Sequence, residues 1–309
     1  MASLSTILNL VQCGLGAILG TGTKGCKPFF KKVTAMWLTP QGFKYDGTQV
    51  LDETYVQTLQ AEGNLIVLKG IRTFTDNTED DVIETLEDGT KQVARLGLYE
   101  FAMQFINGLY FHAALHSISS FGAYDVTMID RDGNILGTKA SDGSLKGFTV
   151  GMLQASKFTF ATDAVGQKEG FMMQLLERSE FDTNYVFIDS SSLDFNPNNV
   201  DGINEVVLSY GTAPADLATN LQVVAVTKQD NAPFTGATYT DFLLTVDGVT
   251  GNPTAGDDSV LGGTYELTVA ALATNEVLAL DLYDNSANNE VISLGGSLYK
   301  SLSLGATVV

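Results

Sequence analysis

Apolar and polar residues alternate with a period of two over much of this chain, the pattern of strands that bury one face. Tyr99, Phe101, Met103 and Phe105 interleave with Glu100, Ala102 and Gln104, and Asn107-Gly108 ends the run. Apolar runs at Val33–Leu38, Leu65–Leu68, Tyr124–Asp130, Ile135–Thr138, Leu145–Phe160 and Phe171–Phe181 predict further strands. Arg72–Glu79 and Asp81–Leu86 are rich in Thr and acids, and Glu87-Asp88-Gly89-Thr90 reads as a turn into Lys91–Leu96. A helix is predicted over Leu109–Ser117, and a second, short and amphipathic, over Glu53–Gln60. The latter lies in a polar stretch between Gly42 and Gly63, and a loop of that length inside a domain is usually functional.

After Asn196-Pro197-Asn198-Asn199 the pattern tightens. Val206–Tyr210, Gln222–Thr227, Thr240–Val246, Thr264–Ala270, Val277–Leu282 and Glu290–Ser293 read as short strands punctuated by Gly, Pro, Asn and Asp. About seven strands without a convincing helix predict an immunoglobulin-like sandwich, here without a Cys…Trp…Cys signature. Charge shifts at the same place: residues 205–309 carry twelve acids against Lys228 and Lys300, whereas residues 1–40 carry four Lys and no acid. The expected organisation is an extended arm (1–32), a mainly β domain (33–200) with a long loop (42–63) and one flanking helix, and a C-terminal sandwich (205–309).

Composition narrows the chemistry. Net charge is −19, with 17 Lys plus Arg against 36 Asp plus Glu, which argues against tight binding to nucleic acid but not against its passing nearby. No run of about 18 apolar residues is present, so membrane insertion is not expected. The apolar segment 3–19 has no preceding cation, and Gln12 sits where a leader's cleavage site needs a small residue. It reads as an arm covered by another subunit. Cys13 and Cys26 are too few for a disulfide framework, and whether they pair stays open.

His112 and His116 share a helix face, but Ala113 stands where a metalloprotease needs Glu, and there is no third His. Asp130-Arg-Asp-Gly-Asn134 departs from a calcium loop because Gly133 comes too early, and Asp132-Gly133 reads as a hairpin turn. Gly20-Thr-Gly-Thr-Lys-Gly25 fits GxGxxG without the strand and helix that motif requires. With no nucleophile elbow, no catalytic residue, metal ligand or cofactor site is assigned, and an enzyme is not expected.

The central region carries a resemblance. It runs Thr73-Phe-Thr-Asp-Asn-Thr-Glu-Asp-Asp-Val-Ile-Glu-Thr-Leu-Glu-Asp-Gly-Thr90, the helix, Asp130-Arg-Asp-Gly-Asn-Ile-Leu-Gly-Thr138, Asp142-Gly-Ser-Leu-Lys-Gly-Phe148 and Lys168-Glu-Gly-Phe-Met-Met-Gln-Leu-Leu-Glu-Arg178. Over roughly residues 65–190 this resembles the tail tube and related virion structural proteins of tailed bacteriophages, some of which carry a C-terminal Ig-like domain. The resemblance implies a homo-oligomer of stacked rings, usually sixfold, that conducts genomic DNA without holding it, in contact with other virion proteins. It also implies that arms and loops reach the next ring, so Tyr45, Val50, Leu51, Tyr55 and Leu59 are ring-stacking candidates. Glu79, Asp80, Asp81, Glu84 and Glu87 are candidates for an acidic lumen, and Leu109, Phe111 and Leu115 for the helix face against the sheet. A jelly-roll capsid or decoration protein and a secreted β-rich surface-binding module are the alternatives.

Overall fold

The computed structural model describes residues 3–10, 29–164, 166–256, 262–285 and 288–309. Cys13, Cys26 and Gly20–Gly25 lie outside them. The chain is mainly β and divides into two units, Met1–Leu59 with Gly63–Val200, and Asp201–Val309, with which Gln60–Glu62 groups. Among the described residues no helix is long and apolar enough to cross a membrane.

In chain order the first unit comprises α1 (Leu4–Leu10), β1 (Val33–Pro40), α2 (Glu53–Ala61), β2 (Ile66–Lys69), β3 (Thr73–Asp76), β4 (Val82–Thr85), β5 (Lys91–Arg95) and β6 (Glu100–Phe105). There follow α3 (Leu109–Ser117), β7 (Ser120–Phe121), β8 (Tyr124–Asp130), β9 (Ile135–Lys139), β10 (Leu145–Lys146), β11 (Phe148–Ala155), β12 (Glu169–Leu175), α4 (Arg178–Asp182) and β13 (Tyr185–Ile188). The strands form two layers. In one, β1 lies antiparallel between β2 and β8, and β9 joins β8 to β13. In the other, β12 lies between β11 and β6, and β3 pairs with the far side of β6.

Two bends connect the layers. Phe148 and Thr149 at the start of β11 pair with β8, and its register against β12 shifts between Val150 and Met152, so the strand turns from one layer into the other. At the opposite side the chain passes from β2 to β3 through Gly70 at φ +82°, with Ile71 N–H donating to Thr34 O (3.0 Å) and Arg72 N–H to Gln104 O (2.8 Å). The predicted strands Leu145–Phe160 and Phe171–Phe181 are thus shorter than their apolar runs. The first breaks at Gly147, and the second ends at Leu175 before α4.

Between the layers lies one core, with Met36, Leu38, Val126 and Met128 from the first and Phe101, Met103, Phe105, Phe171 and Met173 from the second. The opposite face of the first layer is apolar as well. Ala35, Trp37, Ile129 and Ile135 pack there under Leu4, Ile7 and Leu8 of α1, under Val56 and Leu59 of α2, and under Tyr45 and Leu51. A strand apolar on both faces must be covered twice. The segment 42–63 and the helix at residues 4–10 supply the second cover.

This corrects two expectations. Residues 3–10 do not belong to an extended arm: α1 is held against residues 47–49 by Leu4 N–H to Gln49 O (2.8 Å) and Ser5 N–H to Gly47 O (2.9 Å). Of the ring-stacking candidates, Tyr45, Leu51 and Leu59 are buried and Val50 and Tyr55 are half-buried, so most of that set is core and not contact surface. On α3, Leu115 is buried in the core and Phe111 packs on Phe105 at 5.0 Å between ring centroids, but Leu109 faces solvent.

Buried carboxylates hold the turns. The Asp130 side chain accepts N–H groups of Lys31, Asp132 and Asn134 (each 2.9 Å) and the Asn134 amide (2.8 Å). Its oxygens are thereby taken by donors, and residues 130–134 form the β8–β9 turn, with Gly133 at φ +86°. Glu169 on β12, fully buried, accepts the N–H groups of Asn107 and Gly108 (2.9 Å each) at the start of α3, a region where backbone donors lack helical partners.

The second unit is a sandwich of a five-stranded and a four-stranded sheet among the described residues. Its strands Asn204–Tyr210, Asn220–Thr227, Phe242–Val246, Thr264–Thr268, Val277–Leu282 and Ile292–Leu294 overlap all six predicted runs. Asn204–Tyr210 pairs parallel with Ser297–Ser301, and Leu221, Val223, Phe242, Tyr265, Leu278 and Leu280 fill the space between the sheets.

Because α1 covers a core face, Leu4→Ala and Leu8→Ala are each expected to destabilise the first unit by roughly 2–5 kcal/mol, the range for emptied core sites. Urea denaturation followed by the fluorescence of Trp37, which lies beneath this cover, measures it.

Candidate assembly surface

The hairpin β4–β5 of the first unit forms a sheet of two strands by itself, separate from that unit's two layers. Its turn is built locally. Gly89 takes φ +84°, Leu86 N–H donates to Thr90 O (2.8 Å), and the Asp88 carboxylate accepts the Thr90 hydroxyl and N–H (2.6 and 2.9 Å). Those bonds hold the Asp88 carboxyl below the ordinary carboxylate range. Ile83 pairs with Val93, Glu84 with Gln92 and Thr85 with Lys91, with an irregularity at Val82.

Every side chain of the two strands is exposed, the apolar ones included: Ile83 is 59% exposed, Val93 54% and the adjoining Leu96 54%. An isolated two-stranded hairpin is marginal in water, and clustered exposed apolar groups mark contact surfaces. The base is better secured than the tip. Asp81 accepts the N–H of Gly97 (2.9 Å) and pairs with the Arg178 guanidinium, which also bonds Asp182 (2.8 Å) and lies over the Tyr99 ring at 6.0 Å. The Gly97 N–H first and Arg178 second lower the Asp81 carboxyl below its ordinary value. Burial, with the hydrogen bond to Asp182, pushes the Tyr99 phenol up to about 12. Gly97 is obligatory in this packing, since a Cβ there would fall 1.9 Å from Glu79 O.

The five acidic candidates therefore come together along one hairpin and its approach. Asp80, Glu84 and Glu87 are exposed, Glu79 is exposed and pairs with Arg95 (2.8 Å), and Asp81 is committed to the base. The exposed apolar residues of the same hairpin, Ile83, Val93 and Leu96, went unassigned from sequence because acids and Thr dominate the local composition. Their signal is the Ile83–Val93 cross-strand pair that the Asp88-Gly89 turn sets up.

A second exposed apolar set lies on the same unit: Ile106, Leu109 and Tyr110 at the start of α3, Phe121 on β7, which is 79% exposed, and Phe160. Phe158 links Phe160 (5.1 Å between ring centroids) to His112 (5.4 Å), which meets His116 edge-on at 4.6 Å. Among the described residues no group of three or more His, Cys, Asp or Glu is arranged to hold a metal ion.

Arg178→Ala should release the hairpin base while sparing both cores, so amide exchange at Lys91–Arg95 is expected to quicken severalfold with little change at Phe101–Phe105. Acid should act in the same direction: the Asp81 carboxyl is depressed in the folded state, so its contribution is present above the ordinary carboxylate range and lost as pH falls through the depressed value. Exchange mass spectrometry across pH reads both effects. No protein-family model matches the chain, and no curated protein matches it.

Proposed function

We propose that this chain is a self-assembling virion structural protein, a subunit of the stacked rings of a phage tail tube through which DNA passes. The observation that carries the proposal is the hairpin β4–β5, which presents apolar side chains on a ribbon left exposed among the described residues. Such a ribbon gains stability by burying Ile83, Val93 and Leu96 against another molecule. A neighbouring copy offers an apolar acceptor in Leu109, Tyr110 and Phe121, and a contact between two different patches of identical subunits propagates into rings or stacks. The acids Asp80, Glu84 and Glu87 suit a conduit because they repel phosphate.

Ile83→Asp combined with Val93→Asp is expected to abolish rods or stacked rings in negative-stain images and leave a monomer by light scattering, with far-UV circular dichroism unchanged. Wild-type protein that stays monomeric at high concentration would overturn the assembly proposal. In assembled material, Asp80, Glu84 and Glu87 replaced by Lys should retain DNA at low salt. Unchanged DNA retention would place these acids away from the channel.

A further inference from the structure

Inside the first unit, three ionisable side chains converge from β8, β10 and α4. Asp125 on β8 is fully buried; its Oδ2 accepts the Gly42 N–H (2.7 Å) and lies 3.6 Å from Lys146 Nζ. Its Oδ1 is buried and has no hydrogen-bond partner among the described residues. Lys146 Nζ donates to Glu180 Oε1 (2.9 Å) and Thr149 Oγ1 (2.7 Å). Glu180 on α4 is fixed in turn by the Thr149 N–H (2.6 Å) and hydroxyl (3.0 Å). The Lys146 and Glu180 side chains are only 15% and 17% exposed. Gly147 makes the approach possible: a Cβ there would lie 2.8 Å from Val126 N and 3.0 Å from the Asp125 carbonyl carbon.

A buried ion pair that serves stability alone needs every oxygen satisfied, because an orphaned one carries its full desolvation cost. Here the amine stands beyond hydrogen-bond length from the carboxyl group it faces, one carboxyl oxygen is orphaned, and a second carboxylate touches the amine. That arrangement holds a nucleophile beside an electrophile with a proton relay, in a pocket from which water is largely excluded.

We propose that Lys146 and Asp125 condense to an intramolecular isopeptide bond, with Glu180 as the proton-transfer residue. One proton of the Lys146 ammonium passes by way of Glu180 to the Asp125 carboxylate, giving a neutral amine and a neutral acid. Nζ forms a bond to the Asp125 side-chain carboxyl carbon. Nζ, now cationic, gives its second proton to Glu180; the C–O bond to the hydroxyl breaks, and Glu180 delivers that proton to the leaving hydroxyl, which departs as water. Overall, ammonium plus carboxylate become amide plus water, with no oxidant, reductant or cofactor required. Burial first of all raises the Asp125 carboxyl above the ordinary range and so favours the neutral acid that the attack needs. The bond would close residues 125–146 into a covalent loop joining β8 to β10.

This inference is independent of assembly and is tested on the full-length monomer or on assembled protein alike. Intact-mass spectrometry of the wild type is expected to give one water less than the sequence mass. A tryptic digest is expected to give a branched peptide joining the Asp125 and Lys146 segments, uncut after Lys146. Lys146→Arg should restore the full mass, and Glu180→Gln should restore it or slow the loss of water at least tenfold. Folded wild type at its full sequence mass after prolonged incubation overturns the proposal, whatever the variants do. A linked Glu180→Gln protein formed at the wild-type rate overturns the role of Glu180.

Discussion

Strand β1 is buried on both faces, and most of the first unit follows from that. Met36 and Leu38 point into the core between the layers, while Ala35 and Trp37 point the other way. A strand with one apolar face needs one partner layer, but this one needs two. The second layer of strands covers the first face, leaving the other to α1, α2 and the intervening chain. Tyr45, Leu51 and Leu59, which look available for a neighbour, are thereby used within the first unit itself. Burial of a Trp and several Leu side chains outweighs what a free loop would gain from solvent.

Polar groups set the places where this cover can turn. Asp130 and Glu169 are buried carboxylates, and each is satisfied by backbone N–H groups that the local geometry would otherwise leave unpaired. One closes the β8–β9 turn and holds residue 31; the other opens α3. Asp125 differs, because it has a single backbone donor, one orphaned oxygen and a lysine at 3.6 Å. The contrast sets apart a carboxylate that organises backbone from one left with an unpaired oxygen beside a buried amine.

The hairpin follows the opposite logic. Its base is fixed by Gly97, Asp81 and Arg178, where packing is tight enough to forbid a Cβ. Its strands bury almost nothing, and Ile83 and Val93 face water. The base thus fixes the orientation of an apolar ribbon that buries almost nothing among the described residues.

Strand positions were readable because alternation and short apolar runs are local signals: Phe101, Met103 and Phe105 lie on an observed strand, and all six predicted runs after residue 205 overlap one. The Asp88-Gly89 and Asp132-Gly133 turns were readable because Gly supplies the positive φ those turns require. Which apolar runs bend, and where, was not, since the break at Gly147 depends on how close β8 lies to it. The cover supplied by 4–10 and 42–63, the exposure of Ile83 and Val93, and the meeting of Asp125, Lys146 and Glu180 were likewise invisible. Local pattern records which side chains avoid water, whereas the partner each one finds is set by contacts between residues far apart in the chain, and those exist only once the layers have closed.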